Sequence, residues 1–281
     1  MKINRPYFLG IGANRSATTW LSKILKKHPQ VYIPPIKEIH YFDMSPEYLS
    51  PTISAKDSDG WWQRAHRIFL QEKIEKKKRW LERYLFGAYN DAWYLSLFDD
   101  AGAHLRCGEI TPAYSLLSIP DIKRVYRLNP DLRIIFIMRN PVHRAWSGFL
   151  HFIKIKKKKY EEFNDSEIIE HLQSESNTRR GDYLLTIHNW ARVFPSEQFH
   201  YVFFDDIVSD PEGVIKSVQS FLNLTEPFKK EINFKRKANE GLGMKMPLKF
   251  RDFLHEMYDD KIEELYKELN NPIIKTWKRL T

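Results

Sequence analysis

Arg15, Ser16, Thr18 and Thr19 place one guanidinium and three hydroxyls within five consecutive residues. That combination suits a phosphate, which accepts hydrogen bonds from every side and carries negative charge. The apolar run ahead of it, from Tyr7 to Ile11, reads as a buried strand, and Leu21 to Lys27 reads as a helix. A strand, a tight loop and a helix N-terminus aim backbone N–H groups at an anion. Laid on the pattern Gly-x4-Gly-Lys-Ser/Thr, Gly12 takes the first glycine, Ala17 the second, Thr18 the lysine and Thr19 the metal-binding hydroxyl. The missing lysine argues against an NTPase or kinase and leaves phosphate binding intact. The plain alternative is an ordinary strand–helix turn capped by Ser16 or Thr18.

A second set lies over a hundred residues on. Arg133–Met138 is a β-branched and aromatic run of strand type, followed by Arg139-Asn-Pro-Val-His-Arg-Ala-Trp-Ser147. Pro141 suits the first turn of a helix, where its missing N–H does no harm. Arg139 then sits at a strand end and Ser147 about two turns along the helix, both facing one pocket.

These segments resemble the two phosphate sites of sulfotransferases that use 3′-phosphoadenosine 5′-phosphosulfate (PAPS). The first is similar to the family's 5′-phosphosulfate loop. The resemblance implies nucleotide contacts from Asn14, Arg15, Ser16, Ala17, Thr18 and Thr19, with Trp20 at a position that stacks on adenine in some members. Ala17 stands where glycine is usual, so the loop must avoid a positive φ there or tolerate a penalty. The second is similar to the family's 3′-phosphate site and implies that Arg139 and Ser147 hold that group, while Arg144 braces the loop. Lys37-Glu-Ile-His-Tyr-Phe-Asp43 and Glu109-Ile-Thr-Pro-Ala-Tyr114 resemble segments of heparan sulfate sulfotransferases, with Ile110 in place of a lysine. Arg180-Gly-Asp-Tyr183 resembles a further family segment and implies that Tyr183 lies near the adenine. Arg236 and Lys237, in a basic stretch beyond the clearest likeness, are added as candidate 3′-phosphate contacts.

Sulfuryl transfer needs a cation at the leaving phosphate, a base for the acceptor proton and an in-line geometry. Arg15 is the candidate cation; with a pKa above ~12 it acts electrostatically, not as an acid. Glu38 is the candidate base, its pKa expected to rise among Tyr32, Ile36, Ile39 and Phe42. His40, with an ordinary pKa near ~6.5, is the rival. If both lie in a strand, they share a face and line the acceptor cleft. Glu109, following a strand, is expected to position Arg15 or the acceptor. No Cys/His cluster has metal-ligand spacing, and the transfer requires no metal.

The elements that must carry these residues alternate. Strands are expected at Tyr7–Ile11, Leu105–Cys107, Arg133–Met138 and His200–Phe204, each followed by a helical stretch. That alternation predicts an α/β chain, a three-layer P-loop-like fold with a central, mostly parallel sheet flanked by helices. The 281 residues, 42% of them hydrophobic, suffice for one sizeable core, read as a single domain with a helical insertion at about 50–100. Trp61, Trp62, Trp80 and Trp93 fall in that insertion, either packing it onto the core or bordering the acceptor cleft.

The net charge of +9 is compatible with anionic partners. Its densest runs, Lys73–Arg79 and Lys154–Lys159, lack the interleaved aromatics of a nucleic-acid platform, so nucleic acid is not an expected partner. They are solvated faces or a track for an anionic glycan. Cys107, the lone cysteine, reads as a buried structural thiol. No run of ~20 apolar residues is present, and the expected setting is cytoplasmic. The expected activity is sulfation of a carbohydrate or glycoconjugate by PAPS. The alternatives are a small hydroxylated metabolite or lipid as acceptor, or a catalytically idle protein that binds PAP or glycan.

Overall fold

Five short strands form a wholly parallel sheet: β1 (Phe8–Gly12), β2 (Val31–Tyr32), β3 (Arg106–Ile110), β4 (Arg133–Met138) and β5 (Phe199–Phe203), in the order β2-β3-β1-β4-β5. They come from a computed structural model that describes residues 5–44, 61–102, 105–228, 232–234 and 243–279. β4 lies where the sequence pattern places it, and β1 and β5 are displaced by one residue. β3 begins one residue later than expected and runs on to Ile110. β2 is a two-residue strand, too short to carry a period, and the sequence pattern does not reveal it.

Successive residues of a strand face opposite sides, and β4 shows it directly. Ile134, Phe136 and Met138 join one core cluster, whereas Ile135 and Ile137 join the other. Helix α1 (Thr18–Leu25) covers the second face, burying Trp20, Leu21, Ile24 and Leu25. Of the expected insertion, residues 45–60 lie outside the described residues, and the rest carries α2 (Trp61–Gln71), α3 (Glu75–Phe86) and α4 (Asp91–Ser96). Trp80 and Trp93 are buried there and donate to the carbonyls of Leu97 and Arg83 at 2.8 and 2.7 Å, so both pack the insertion rather than border a cleft.

Helices α5 (Ile119–Leu128), α6 (Pro141–Lys156), α7 (Tyr183–Ala191), α8 (Pro211–Phe221) and α9 (Leu248–Leu269) complete the layers. α6, α7 and α9 cover the first face through Phe149, Trp190 and Leu254, and α8 joins α1 on the other through Ile215 and Val218. Each fully buried aliphatic or aromatic side chain contributes about 1.5–3 kcal/mol, which holds the three layers together. Cys107 is buried in β3, and burial pushes its thiol up to about 11.

The strand order reverses across β1. The chain builds β2 and β3 on one side of it, then crosses to β4 and β5 on the other. Such a switch point leaves a crevice beyond the carboxyl ends of the strands, where α/β sheets bind ligands. Arg15 follows β1, Arg139 follows β4 and Thr111 follows β3, so three loops meet at that crevice.

Candidate active site

The loop after β1 is bent to face an anion. Arg15 and Ala17 both adopt left-handed backbone, with φ of 68° and 66°. Ala17 thus accepts the penalty rather than avoiding it, at about 1 kcal/mol relative to glycine. Ala17 is the N-cap of α1, and no side chain caps the helix. The capped-turn alternative, with Ser16 or Thr18 as the cap, is therefore set aside. The first intrahelical bond runs from the Leu21 N–H to the Ala17 carbonyl at 3.2 Å, which leaves the preceding amides available to a ligand. The Ser16 hydroxyl is fully buried and has no hydrogen-bond partner among the described residues. A buried, orphaned hydroxyl beneath an open helix N-terminus fits a phosphate. Asn14 and Thr19 are partly exposed beside it, and Thr18 is buried.

The two basic motifs become one site. Arg139 donates from Nη1 to the Arg15 carbonyl at 3.0 Å across 124 residues. Arg15 in turn donates from Nε to Ser147 Oγ at 3.3 Å. The Arg139 Nε is buried and unpartnered among the described residues. Burial lowers the pKa of both guanidinium groups, and Arg15 lowers that of Arg139 further by charge repulsion. Two half-buried cations in mutual repulsion favour a shared anion. Arg144 is buried and donates to the Asn177 carbonyl and Oδ1 at 2.7 and 2.8 Å, so it braces the fold behind the pocket.

Trp20 and Tyr183 are both largely buried. Trp20 is buried in the core and donates its indole N–H to the Phe234 carbonyl at 2.8 Å. Tyr183 is buried, and its hydroxyl donates to the Arg139 carbonyl at 2.6 Å, which ties α7 to the loop after β4. Arg236 and Lys237 lie outside the described residues.

Glu38 and His40 are not in a strand. Their φ values of 66° and 58° are left-handed, and the segment around them is irregular. The side chains still meet, with His40 Nε2 at 3.7 Å from Glu38 Oε2 and His40 Nδ1 at 2.7 Å from Asp43 Oδ2. Lys37 forms an ion pair with the other Glu38 oxygen. The expected rise in the Glu38 pKa does not occur. Burial alone would raise it, but the nearby His40 imidazole and the charge of Lys37 outweigh burial and hold it at about 2. His40 moves the other way. Burial would lower it, yet the hydrogen bond to Asp43 and the nearby Glu38 carboxylate lift it to about 10, which favours the protonated imidazolium at neutral pH.

Glu109 is placed otherwise than expected, since it touches neither Arg15 nor the cleft. It is 1% exposed, and its carboxylate accepts from the Tyr94, Tyr114 and Thr111 hydroxyls and the Ile39 N–H. Burial raises its pKa against those four donors. Ile110 is buried in the core, and Lys37 supplies the ammonium beside Glu38.

Three titratable groups here were not singled out from sequence. Lys37 and Asp43 flank Glu38 and His40 within the quoted motif. His151 lies one turn beyond Ser147, the spacing of a shared helix face. Burial lowers the His151 pKa, as do the charges of Arg15 and Lys154, against the opposing pull of Glu38. The flank of α6 therefore joins the phosphate loop to the Glu38 cluster.

A model described as "Sulfotransferase family" matches residues 6–228. Heparan sulfate glucosamine 3-O-sulfotransferase 5 of Mus musculus is 25% identical over 227 residues, covering 78% of this chain and 54% of its own. Carbohydrate sulfotransferase 15 of Homo sapiens is 23% identical over 299 residues, covering 88% and 51%. The chain thus spans about half the length of these curated relatives. The solved sulfotransferase from Alicyclobacillus acidocaldarius superposes with a TM-score of 0.68 at 21% identity, over 99% of this chain and 100% of that one. That likeness shows a shared fold.

Proposed function

The chain belongs to the sulfotransferase family, and from that premise we propose that it moves a sulfuryl group from PAPS to a hydroxyl or amino group of a carbohydrate or glycoconjugate, releasing PAP. The observation that carries the donor assignment is the joining of the two basic motifs through Arg139, Arg15 and Ser147, with buried polar atoms left for a ligand. The α1 N-terminus, Ser16, Thr18 and Thr19 suit a 5′-phosphosulfate, and Arg139 with Ser147 suits a 3′-phosphate.

Arg15 stands where it offsets negative charge growing on the leaving phosphate oxygen. The acceptor oxygen or nitrogen forms its bond to sulfur as the sulfur–phosphate oxygen bond breaks, and that oxygen keeps the electron pair. Glu38 takes the acceptor proton, and Lys37 with protonated His40 holds the Glu38 carboxylate in place. A carboxylate held near 2 is a weak base, so acceptor binding must loosen one of those partners for efficient proton transfer.

The carbohydrate acceptor is supported by the names of the two relatives, a heparan sulfate glucosamine and a carbohydrate sulfotransferase, and by the Lys37–Asp43 segment. Lys154 to Lys159 extend the His151 flank with exposed ammonium groups, which suits an anionic glycan. Calorimetric titration with PAP, ADP and AMP tests the donor site. Preference for PAP supports it, and equal binding of all three overturns the 3′-phosphate assignment. Incubation with radiolabelled PAPS and a panel of sulfated, uronate-bearing and neutral oligosaccharides then tests the acceptor class. Transfer to phenols or sterols alone would overturn the carbohydrate reading.

A further inference from the structure

We propose that Glu109 is a positioning residue, the buried anchor that fixes the backbone carrying Glu38 and His40. The proposal rests on the reading of Glu38 as the group that takes the acceptor proton.

Glu38 and His40 hold left-handed conformations that neither residue adopts unaided, so other bonds must stabilise them. Those bonds are made by the residues in between. The Ile39 N–H is shared by Glu109 Oε2 at 3.3 Å and Thr111 Oγ1 at 3.1 Å. The Tyr41 N–H donates to the Tyr114 hydroxyl at 3.0 Å, and that hydroxyl donates to Glu109 Oε1 at 2.8 Å. Thr111 donates to Oε2 at 2.7 Å and Tyr94 to Oε1 at 2.9 Å. Every path from the loop's pinned amides converges on one carboxylate.

The side chains follow the same alternation. Ile39 and Tyr41 are buried at 1% and 0% exposure, whereas Glu38 and His40 remain partly exposed. Pinning amides 39 and 41 inward leaves side chains 38 and 40 pointed at the cleft. Tyr41 adds a stacked contact with Tyr94, whose ring centroid lies 4.6 Å away, so the anchor also fixes the ring behind the loop.

A carboxylate suits this task better than a neutral group. Four donors meet two oxygens, and an ionised carboxylate accepts all four without needing a donor of its own. No cation sits against it among the described hydrogen bonds, so the four oriented donors are what favour its carboxylate form against burial.

The test compares wild type with Glu109→Leu, the double variant Thr111→Val/Tyr114→Phe, and Glu38→Ala. Three readouts are taken: hydrogen exchange at amides 39 and 41, the stoichiometry of PAP binding, and kcat against KM for PAPS. Glu109→Leu is expected to speed exchange at amide 39 by about tenfold or more and to lower kcat by about tenfold or more. PAP stoichiometry and KM for PAPS should stay within about twofold, because the phosphate contacts lie on other loops. A protected amide 39 with wild-type kcat overturns the proposal. If Glu109→Leu fails to bind PAP, the double variant decides: wild-type kcat with protected amides 39 and 41 is the overturning result. Glu38→Ala separates the two claims. Wild-type kcat in that variant removes Glu38 as the base, while the exchange data still judge the anchor.

Discussion

Glu38 is a carboxylate pressed between an ammonium and an imidazolium, and its chemistry follows from that placement. With Glu38 held at about 2 and His40 lifted to about 10, neither group changes charge across the neutral range. The kcat/KM profile, which reports the free enzyme, should therefore carry no limb from either group between about pH 5 and 8. Asp43→Asn removes the nearer carboxylate from His40, so the His40 pKa must fall, and an NMR titration of its ring should move toward ~6.5. The stability sign follows from the same directions. Glu38 stabilises the fold above its unfolded pKa of ~4.3 and loses that contribution as pH falls through about 2. His40 stabilises it below ~6.5 and loses that contribution as pH rises through about 10. The cluster's contribution is thus complete between about pH 4.3 and 6.5. Glu38→Gln should lower kcat by about 100-fold or more while PAP affinity holds, measured by initial rates and calorimetry. Retained wild-type rate would remove Glu38 from proton transfer.

The strand–loop–helix unit after β1 offers a proposed ligand its backbone shape as well as its side chains. Ala17 sits at a φ of 66°, where an L-residue is strained and glycine is not. Ala17→Gly exchanges that strain for a more flexible unfolded chain, and the strain is the larger quantity. A gain of about 0.5–1 kcal/mol in unfolding free energy is expected, read from denaturant midpoints with PAP affinity unchanged. A destabilised variant would show that the loop has relaxed around the alanine. The unit's strand–loop–helix form was legible in sequence because its residues are contiguous. Its join to the loop after β4 was partly legible: Arg139 and Ser147 could be placed on one helix entry, but their bonds to and from Arg15 depend on β1 and β4 lying side by side.

Across the whole molecule, ligand binding and stability are linked through the crevice at the sheet's switch point. PAP should raise the melting temperature in a concentration-dependent way, by about 2.7 kcal/mol of stabilisation at a hundredfold excess over Kd. AMP should raise it less, and Arg139→Ala should erase most of that difference, because only PAP carries the 3′-phosphate. Equal shifts with PAP and AMP in wild type would reject Arg139 as the discriminating contact. The sequence alone determined the alternating architecture, the two phosphate motifs and the identity of the acid–base candidates, because each is encoded in local spacing and residue type. Tertiary structure decided their states. Whether Trp20 and Tyr183 meet a ligand or the core depends on what packs over them, and both are buried. The pKa values of Glu38 and His40 were misread from sequence because apolar neighbours in the chain suggest burial, whereas electrostatics depends on which charges arrive in space. Glu109 likewise looked like a cleft residue at a strand end. It became an inward anchor only because Tyr94, from a different helix, and the 39–41 backbone converge on it from separate parts of the chain.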